Sequence, residues 1–246
     1  MARDRNLEWE GCYNVRDLGG FRTREGQTRS GAIVRADGLN RLTKSGWLAL
    51  ENYGIRTVVD LRNDDELDSD EVLRPDLVTT VNVPLDDIED VELWEHIRDN
   101  QLDGSPLYYS LFLGRKPHRC VAVLKAIAHA QPGGVVFHCG LGRDRTGLVA
   151  LLVLALAGVG VDDIATDYDL STDRVRQLGA VRNEPDQGAE IAKILAHKKT
   201  SARLLIHQLM ETLDVEGALG PAGLQAHDLD ALRRRFVETR TAQTSG

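Results

Sequence analysis

The chain has 246 residues, of which 42% are hydrophobic and 28% charged, a balance that supports a sizeable folded core and excludes bulk disorder. Its formal net charge of -8 argues against a general nucleic-acid binder, which needs a basic surplus to displace counterions from phosphates. Residues 1–15 lack the apolar core of a secretory signal, and the longest apolar run, Leu148 to Val161, is shorter than the roughly 17 to 25 residues of a membrane-spanning helix. One domain over residues 1–246 is expected, with 1–7 and 239–246 flexible, in a cytoplasmic protein without stable membrane insertion.

In chain order, Thr43 to Tyr53 reads as a helix: Thr43 caps it, Trp47, Leu48 and Leu50 form its apolar face, and Gly54 ends it. Arg56 to Leu61 reads as a buried strand, and Val78 to Pro84 as a second one stopped by its proline. The acidic stretch between them, Asn63 to Glu71, reads as a solvated connection rather than a docking site. From Arg119 to Ala130, apolar residues at Val123, Leu124, Ile127 and Ala128 have the spacing of an amphipathic helix, which Pro132-Gly133-Gly134 breaks. A short apolar strand, Val135 to Phe137, is followed by a glycine-containing turn over Cys139 to Gly147. Leu148 to Ala157 is then apolar on every side, the mark of a helix running through the core. Beyond Val161 the chain reads as several helices with turns near Gly179, Gly188 and Gly217 to Gly223, and the small polar end from Thr239 is expected to fray. The fold class is α/β, a largely parallel sheet flanked by helices with a helical C-terminal half.

Ligands of open α/β sheets bind beyond the carboxyl ends of strands, which puts interest on the turn after Phe137. It runs His138-Cys139-Gly140-Leu141-Gly142-Arg143-Asp144-Arg145-Thr146-Gly147. Gly140 and Gly142 permit unusual backbone geometry, so that successive N–H groups form an anion nest, and a helix beginning near Thr146 points its positive end at the same place. The helix end, the N–H groups and nearby arginines all favour a thiolate at Cys139, the reactive form of the side chain. Arg145, six residues on, returns its guanidinium to the rim for bidentate contact with phosphate oxygens.

The segment HCGLGRDRTG resembles the H-C-x-x-G-K-D-R-T-G loop of bacterial atypical tyrosine-protein phosphatases, a branch of the cysteine-dependent protein tyrosine phosphatase superfamily. Asn14 to Gly20 is similar to that family's N-x-R-D-L-G-G motif, Val58 to Arg62 to its D-L-R strand, and Asp167-Tyr168 with Leu170-Ser171 to its D-Y-L-x-S stretch. The resemblance spans roughly residues 8 to 238. It implies a tyrosine phosphatase-like fold, Cys139 as the nucleophile of a phosphocysteine intermediate, Arg145 as the phosphate binder, and a cradle over Gly140 to Arg145. His138, Gly140, Leu141, Gly142, Arg143 and Thr146 form the expected substrate-binding set. Arg143 stands where the family often has Lys, and the paired cations with the following Asp are linked to inositol-lipid substrates. Arg keeps the charge with a different geometry, which favours phosphotyrosine over lipid. Arg35-Ala36 replaces a usual Arg-Ser.

Expelling an alcohol or phenol needs a proton donor. Tyrosine phosphatases commonly draw it from a Trp-Pro-Asp loop, and this sequence has no Trp-Pro-Asp. The candidates are Asp144 first, for its position inside the loop, then Asp86, Asp87 and Asp103. Arg16 with Asp17, and Asp60 with Arg62, are read as ion pairs bracing the site, and His138 as a loop residue that stabilises the thiolate. Cys12 and Cys120 lack a cationic or glycine-rich frame, no C-x-x-C spacing occurs, and no metal or cofactor is expected. Lys193, Lys198, Lys199 and Arg203 read as a solvated face, with a lid over the pocket as the alternative.

The expected function is metal-free hydrolysis of phosphate monoesters, with phosphorylated protein or peptide as partner, phosphotyrosine first, and dual-specificity or phosphoinositide substrates as extensions. The alternatives are a rhodanese-like sulfurtransferase and a phosphate-recognition module with weak turnover.

Overall fold

Five residues, Gly134–His138, form a strand buried along its whole length, and the fold is arranged around it. The computed structural model describes residues 5–67, 74–183 and 185–239. In chain order its elements are β1 (Arg16–Asp17), β2 (Gly26–Thr28), β3 (Ile33–Ala36), α1 (Lys44–Asn52), β4 (Ile55–Asp60), β5 (Thr79–Asn82), α2 (Val91–Asp99), α3 (Tyr109–Arg115), α4 (Pro117–Ala128), β6 (Gly134–His138), α5 (Asp144–Leu156), α6 (Val161–Arg182), α7 (Gln187–His197), α8 (Ala202–Thr212), α9 (Val215–Leu219), α10 (Ala226–Phe236) and β7 (Val237–Thr239).

The main sheet has the order β1-β3-β6-β4-β5. β6 pairs in parallel with β3 and β4, β4 pairs in parallel with β5, and only the edge strand β1 is antiparallel. Because side chains alternate across a sheet, each central strand feeds two cores. Ile33, Val59, Val135 and Phe137 face one cluster with α3, α4 and α5, while Val34, Val58 and Val136 face the other with Trp9, Trp47 and Leu50. Strands covered on both faces read as continuous apolar runs, which is why the β4 and β6 segments stand out in the sequence.

α5 is the helix expected to run through the core: every residue from Thr146 to Leu154 is buried. α1 is capped by the Thr43 side chain, which accepts the Gly46 N–H, and Gly54 follows it with a φ of 96°. Leu48 departs from the expected apolar face, pointing outward at 55% exposure while Trp47 and Leu50 are buried.

The C-terminal half is helical, with different breaks from those expected. α6 continues through Gly179 to Arg182 and stops at Asn183, whose φ of 54° provides a left-handed cap. Gly188 lies inside the first turn of α7, where Asp186 is the cap and accepts the Ala189 N–H. The described residues of both expected margins make contacts with the rest of the fold. Arg5 reaches Asp167 at 3.0 Å, Asn6 bridges Arg16, and Thr239 pairs with Gly26 in a second, two-stranded sheet of β2 and β7. The remainder of those margins, 1–4 and 240–246, lies outside the described residues, as do 68–71 of the acidic stretch.

Candidate active site

β6 ends at the carboxyl edge of the sheet, and residues 139–143 turn there into α5. The outer side of this turn is fastened at every peptide. The Cys139 carbonyl meets His138 Nδ1 at 3.1 Å, and the Gly140 carbonyl accepts the Gly38 N–H at 3.0 Å. Asn14 Nδ2 donates to the Leu141 and Gly142 carbonyls, 3.0 Å each, and Arg35 Nη2 donates to the Gly142 carbonyl at 2.7 Å. In a trans peptide the N–H of residue i+1 points opposite to the C=O of residue i. Four carbonyls held outward therefore turn the N–H groups of residues 140 to 143 to the opposite, inner side of the turn.

Of the two glycines expected to permit this shape, only one is needed. Gly142 has a φ of 67°, and a Cβ there would lie 2.5 Å from the Ala36 carbonyl oxygen. Gly140 has no positive φ, and a Cβ on it would meet nothing within 4 Å. The helix starts at Asp144 rather than Thr146, so Arg145 sits in its first turn and Thr146 Oγ1 donates to Cys139 Sγ at 3.2 Å.

The pair Arg16 with Asp17 does not form. Neighbouring strand residues point to opposite faces. Arg16, 1% exposed, donates instead to Asp167 at 2.9 Å and to Ser171 at 3.0 Å, and Arg35 donates to the other Asp167 oxygen at 2.7 Å. Asp17 accepts the Gly19 and Gly31 N–H groups and the Tyr53 hydroxyl. Asp167 is buried, which by itself disfavours its charge, but the two guanidiniums hold it well below the ordinary carboxylate range. This network lies directly behind the turn, because Arg35 bonds both Asp167 and the Gly142 carbonyl. Asp60 and Arg62, two apart and on one face, do pair, at 2.8 Å.

His138 is turned away from the inner side. Its Nδ1 faces the Cys139 carbonyl and its Nε2 stands 3.6 Å from Asp60, while burial lowers its pKa and keeps the ring neutral. Cys12 donates to buried Asp37 at 2.8 Å, and burial together with that carboxylate pushes its thiol well up. Burial pushes Cys120 up to about 12.

A cleft of about 650 Å³ opens next to Arg143, Asp144 and Arg145, walled by Asp86, Trp94, Asp103, Tyr108 and, from α7, Gln187, Glu190, Ile191 and Ile194. Arg143 is 4% exposed and donates through Nε to Asp144 at 3.2 Å. Of the C-terminal cations, Lys198 bonds the Asn100 carbonyl and Arg203 pairs with Asp169, and neither lines the cleft.

Two carboxylates converge on Arg145. Glu66 takes both terminal nitrogens, with Nη2 to Oε1 at 2.7 Å, and Asp86 stands 3.3 Å from Nη1. Burial opposes the Arg145 charge, yet Glu66, the Cys139 sulfur and Asp86 raise its pKa above the usual guanidinium value. Glu66 belongs to the acidic stretch read as a solvated connection, and that reading fails for this residue. Asn63 and Glu66 form a capping box in which Glu66 Oε2 accepts the Asn63 N–H at 2.9 Å, and this fixes the side chain toward the site. The capping spacing is the one sequence signal that could have singled out Glu66. Asp86 is pushed up to about 6, chiefly by burial and against the pull of Arg145, with Glu66 and Asp144 adding to the rise. Asp87 is held down by Lys116 and Arg119 and stays ionised.

The sequence model described as the tyrosine phosphatase family matches residues 7–238. A tyrosine-protein phosphatase of Nostoc commune is 35% identical over 142 residues, covering 57% of this chain and 48% of that protein, so the chain matches about half of its length. A triple specificity protein phosphatase, PtpB of Mycobacterium tuberculosis, is 30% identical over 205 residues, covering 70% of this chain and 71% of that protein.

Proposed function

Because the chain belongs to the tyrosine phosphatase family, we propose that it hydrolyses phosphate monoesters by way of a phosphocysteine on Cys139. The observation that carries this reading is the turn whose carbonyls at 139 to 142 are all bonded outward, together with a Cys139 sulfur near enough to Arg145 to raise its pKa.

The phosphate dianion of the substrate takes the inward N–H groups of residues 140 to 143. Glu66 occupies the Nη1/Nη2 edge of Arg145, and among the described residues Nε has no hydrogen-bond partner. The Nε/Nη2 edge therefore serves two phosphate oxygens, with Glu66 orienting it. The Cys139 thiolate, hydrogen-bonded by Thr146, attacks phosphorus in line. An S–P bond forms, the P–O bond to the leaving group breaks, and the leaving oxygen takes a proton. Water then attacks the phosphocysteine, loses its proton to the same carboxylate, and releases inorganic phosphate and the thiolate. The N–H groups and Arg145 hold the equatorial oxygens through both steps.

We assign the proton to Asp86 in preference to Asp144. A donor working near neutral pH needs a carboxyl whose pKa is raised toward that range, and burial raises that of Asp86 to about 6. Asp144 stands in the first turn of α5 and accepts a hydrogen bond from Arg143 Nε. The aromatic and aliphatic walls at Trp94, Tyr108, Ile191 and Ile194 suit the ring of phosphotyrosine. Arg143 adds a cation on the same rim, which supports phosphoserine, phosphothreonine and phosphoinositide as further substrates to assay. The name of the mycobacterial relative is consistent with such breadth.

The test is release of p-nitrophenol from p-nitrophenyl phosphate in the presence of EDTA, with Cys139→Ser as control. Loss of turnover in the variant is expected, along with a trapped phosphoenzyme in the parent. Full activity in Cys139→Ser would overturn the reading, and phosphopeptide binding without turnover by the parent would favour a recognition module instead.

A further inference from the structure

Three side chains outside the cleft bring metal-binding atoms to one point. His129 is the C-cap residue of α4, and His227 and Asp228 lie in the first turn of α10. Asp228 is 2% exposed. Its Oδ2 is used locally, accepting the Gln225 N–H at 2.9 Å and lying 3.5 Å from Lys125 Nζ. Its Oδ1 has no part in that cap and is directed at the two imidazoles, 2.7 Å from His129 Nε2 and 3.2 Å from His227 Nε2.

We propose that His129, His227 and Asp228 form a binding site for a divalent transition-metal ion of the Zn²⁺ type, bridging α4 and α10. The three donor atoms lie within 4.8 Å of one another. With metal–ligand bonds of about 2.0 to 2.1 Å, tetrahedral donors stand roughly 3.3 Å apart, so the ion enters with small rotations of two solvent-exposed rings. Two neutral imidazoles and one carboxylate are a borderline-soft set suited to Zn²⁺, and water completes the fourth position from the open side. The outer shell is already formed, because the Gln225 N–H and Lys125 fix the second carboxylate oxygen and so aim the first.

The location gives the ion a structural role. His129 leads into the segment before β6, and Arg235 near the other end of α10 already holds that segment, donating to the Gly133 and Gln131 carbonyls at 2.7 and 3.2 Å. An ion at the first turn of α10 fastens the other end of that helix to the C-terminus of α4. It stabilises the folded chain by mass action and takes no part in the chemistry at Cys139.

The experiment uses the full chain carrying Cys139→Ser, which removes the reactive thiolate as a competing ligand, after stripping with a chelator. Zn²⁺ is titrated calorimetrically and Co²⁺ by visible absorption, in this protein and with His129→Ala or His227→Ala added. One-to-one binding is expected, with the strong visible bands of four-coordinate Co²⁺, weakened roughly tenfold or more by either histidine substitution. Tm should rise by roughly 5 °C in a hundredfold excess of Zn²⁺ over its Kd, and only without the histidine substitutions. Absence of one-to-one binding at micromolar Zn²⁺ would overturn the proposal. So would binding of unchanged affinity in both histidine variants, which would put the ion elsewhere.

Discussion

Asp86→Asn should lower activity and raise stability at once. The Asp86 side chain is 15% exposed, and its environment lifts it from the ordinary carboxylate value near 4 to about 6. At about 1.4 kcal/mol per pKa unit, the folded protein carries a penalty of at most ~3 kcal/mol for the ionised form. The sign follows from proton binding. Between about pH 4 and pH 6 the folded chain keeps a proton that the unfolded chain has lost, so parent stability falls as pH rises through that window and the penalty is complete above it. An amide at this position does not ionise. The variant should therefore unfold several degrees higher than the parent at pH 7 and match it near pH 4. As proton donor, Asp86 must be protonated, so parent kcat/KM should decline above about pH 6 and that decline should vanish in the variant. The loss in kcat should be about 10² to 10⁴ for phenyl phosphate, whose leaving group needs the proton, and much smaller for p-nitrophenyl phosphate. Thermal melts across pH and pH–rate profiles with both esters provide the readouts. If Asp86→Asn keeps the alkaline decline and equal losses with both esters, while Asp144→Asn abolishes the dependence on leaving group, the assignment is refuted and the donor is Asp144.

Glu66→Gln should raise KM and weaken inhibition by inorganic phosphate roughly tenfold, with a smaller change in kcat, because it removes one charged partner that orients Arg145; steady-state kinetics separate the two effects. Gly142→Ala should lower Tm and inactivate the protein, since its Cβ would lie 2.5 Å from the Ala36 carbonyl oxygen at a φ of 67°, whereas Gly140→Ala should melt with the parent. Asp167→Asn should cost about 3 to 5 kcal/mol in chemical denaturation by leaving two buried guanidiniums without their carboxylate. Asp167 itself has a depressed pKa, so its stabilisation is complete above about pH 4 and is lost as pH falls below that value, which an acid titration of the parent followed by circular dichroism should register.

Much of the site's backbone was legible in the sequence because it is local. A buried strand, a turn with a glycine in left-handed conformation and an all-apolar helix follow one another without interruption from Gly134 to Leu156, and each has its own periodicity or turn chemistry. The same holds for α1, with its threonine cap and terminal glycine. Strand alternation, applied to residues 16 and 17, would already have ruled out a pair between Arg16 and Asp17. It could not have named the true partner, Asp167, on a helix 151 positions away.

By itself, then, the sequence determined the family, the parallel α/β architecture and the turn that begins at Cys139, since these rest on contiguous patterns that any one segment carries. Only the tertiary structure decided which charges meet there. Glu66 reaches Arg145 across 79 positions, Asp86 acquires its raised pKa from burial, and Arg35 reaches the Gly142 carbonyl across 107 positions. Partner choice and desolvation depend on distances between segments remote in the chain, and a linear pattern of residue types holds no record of those distances.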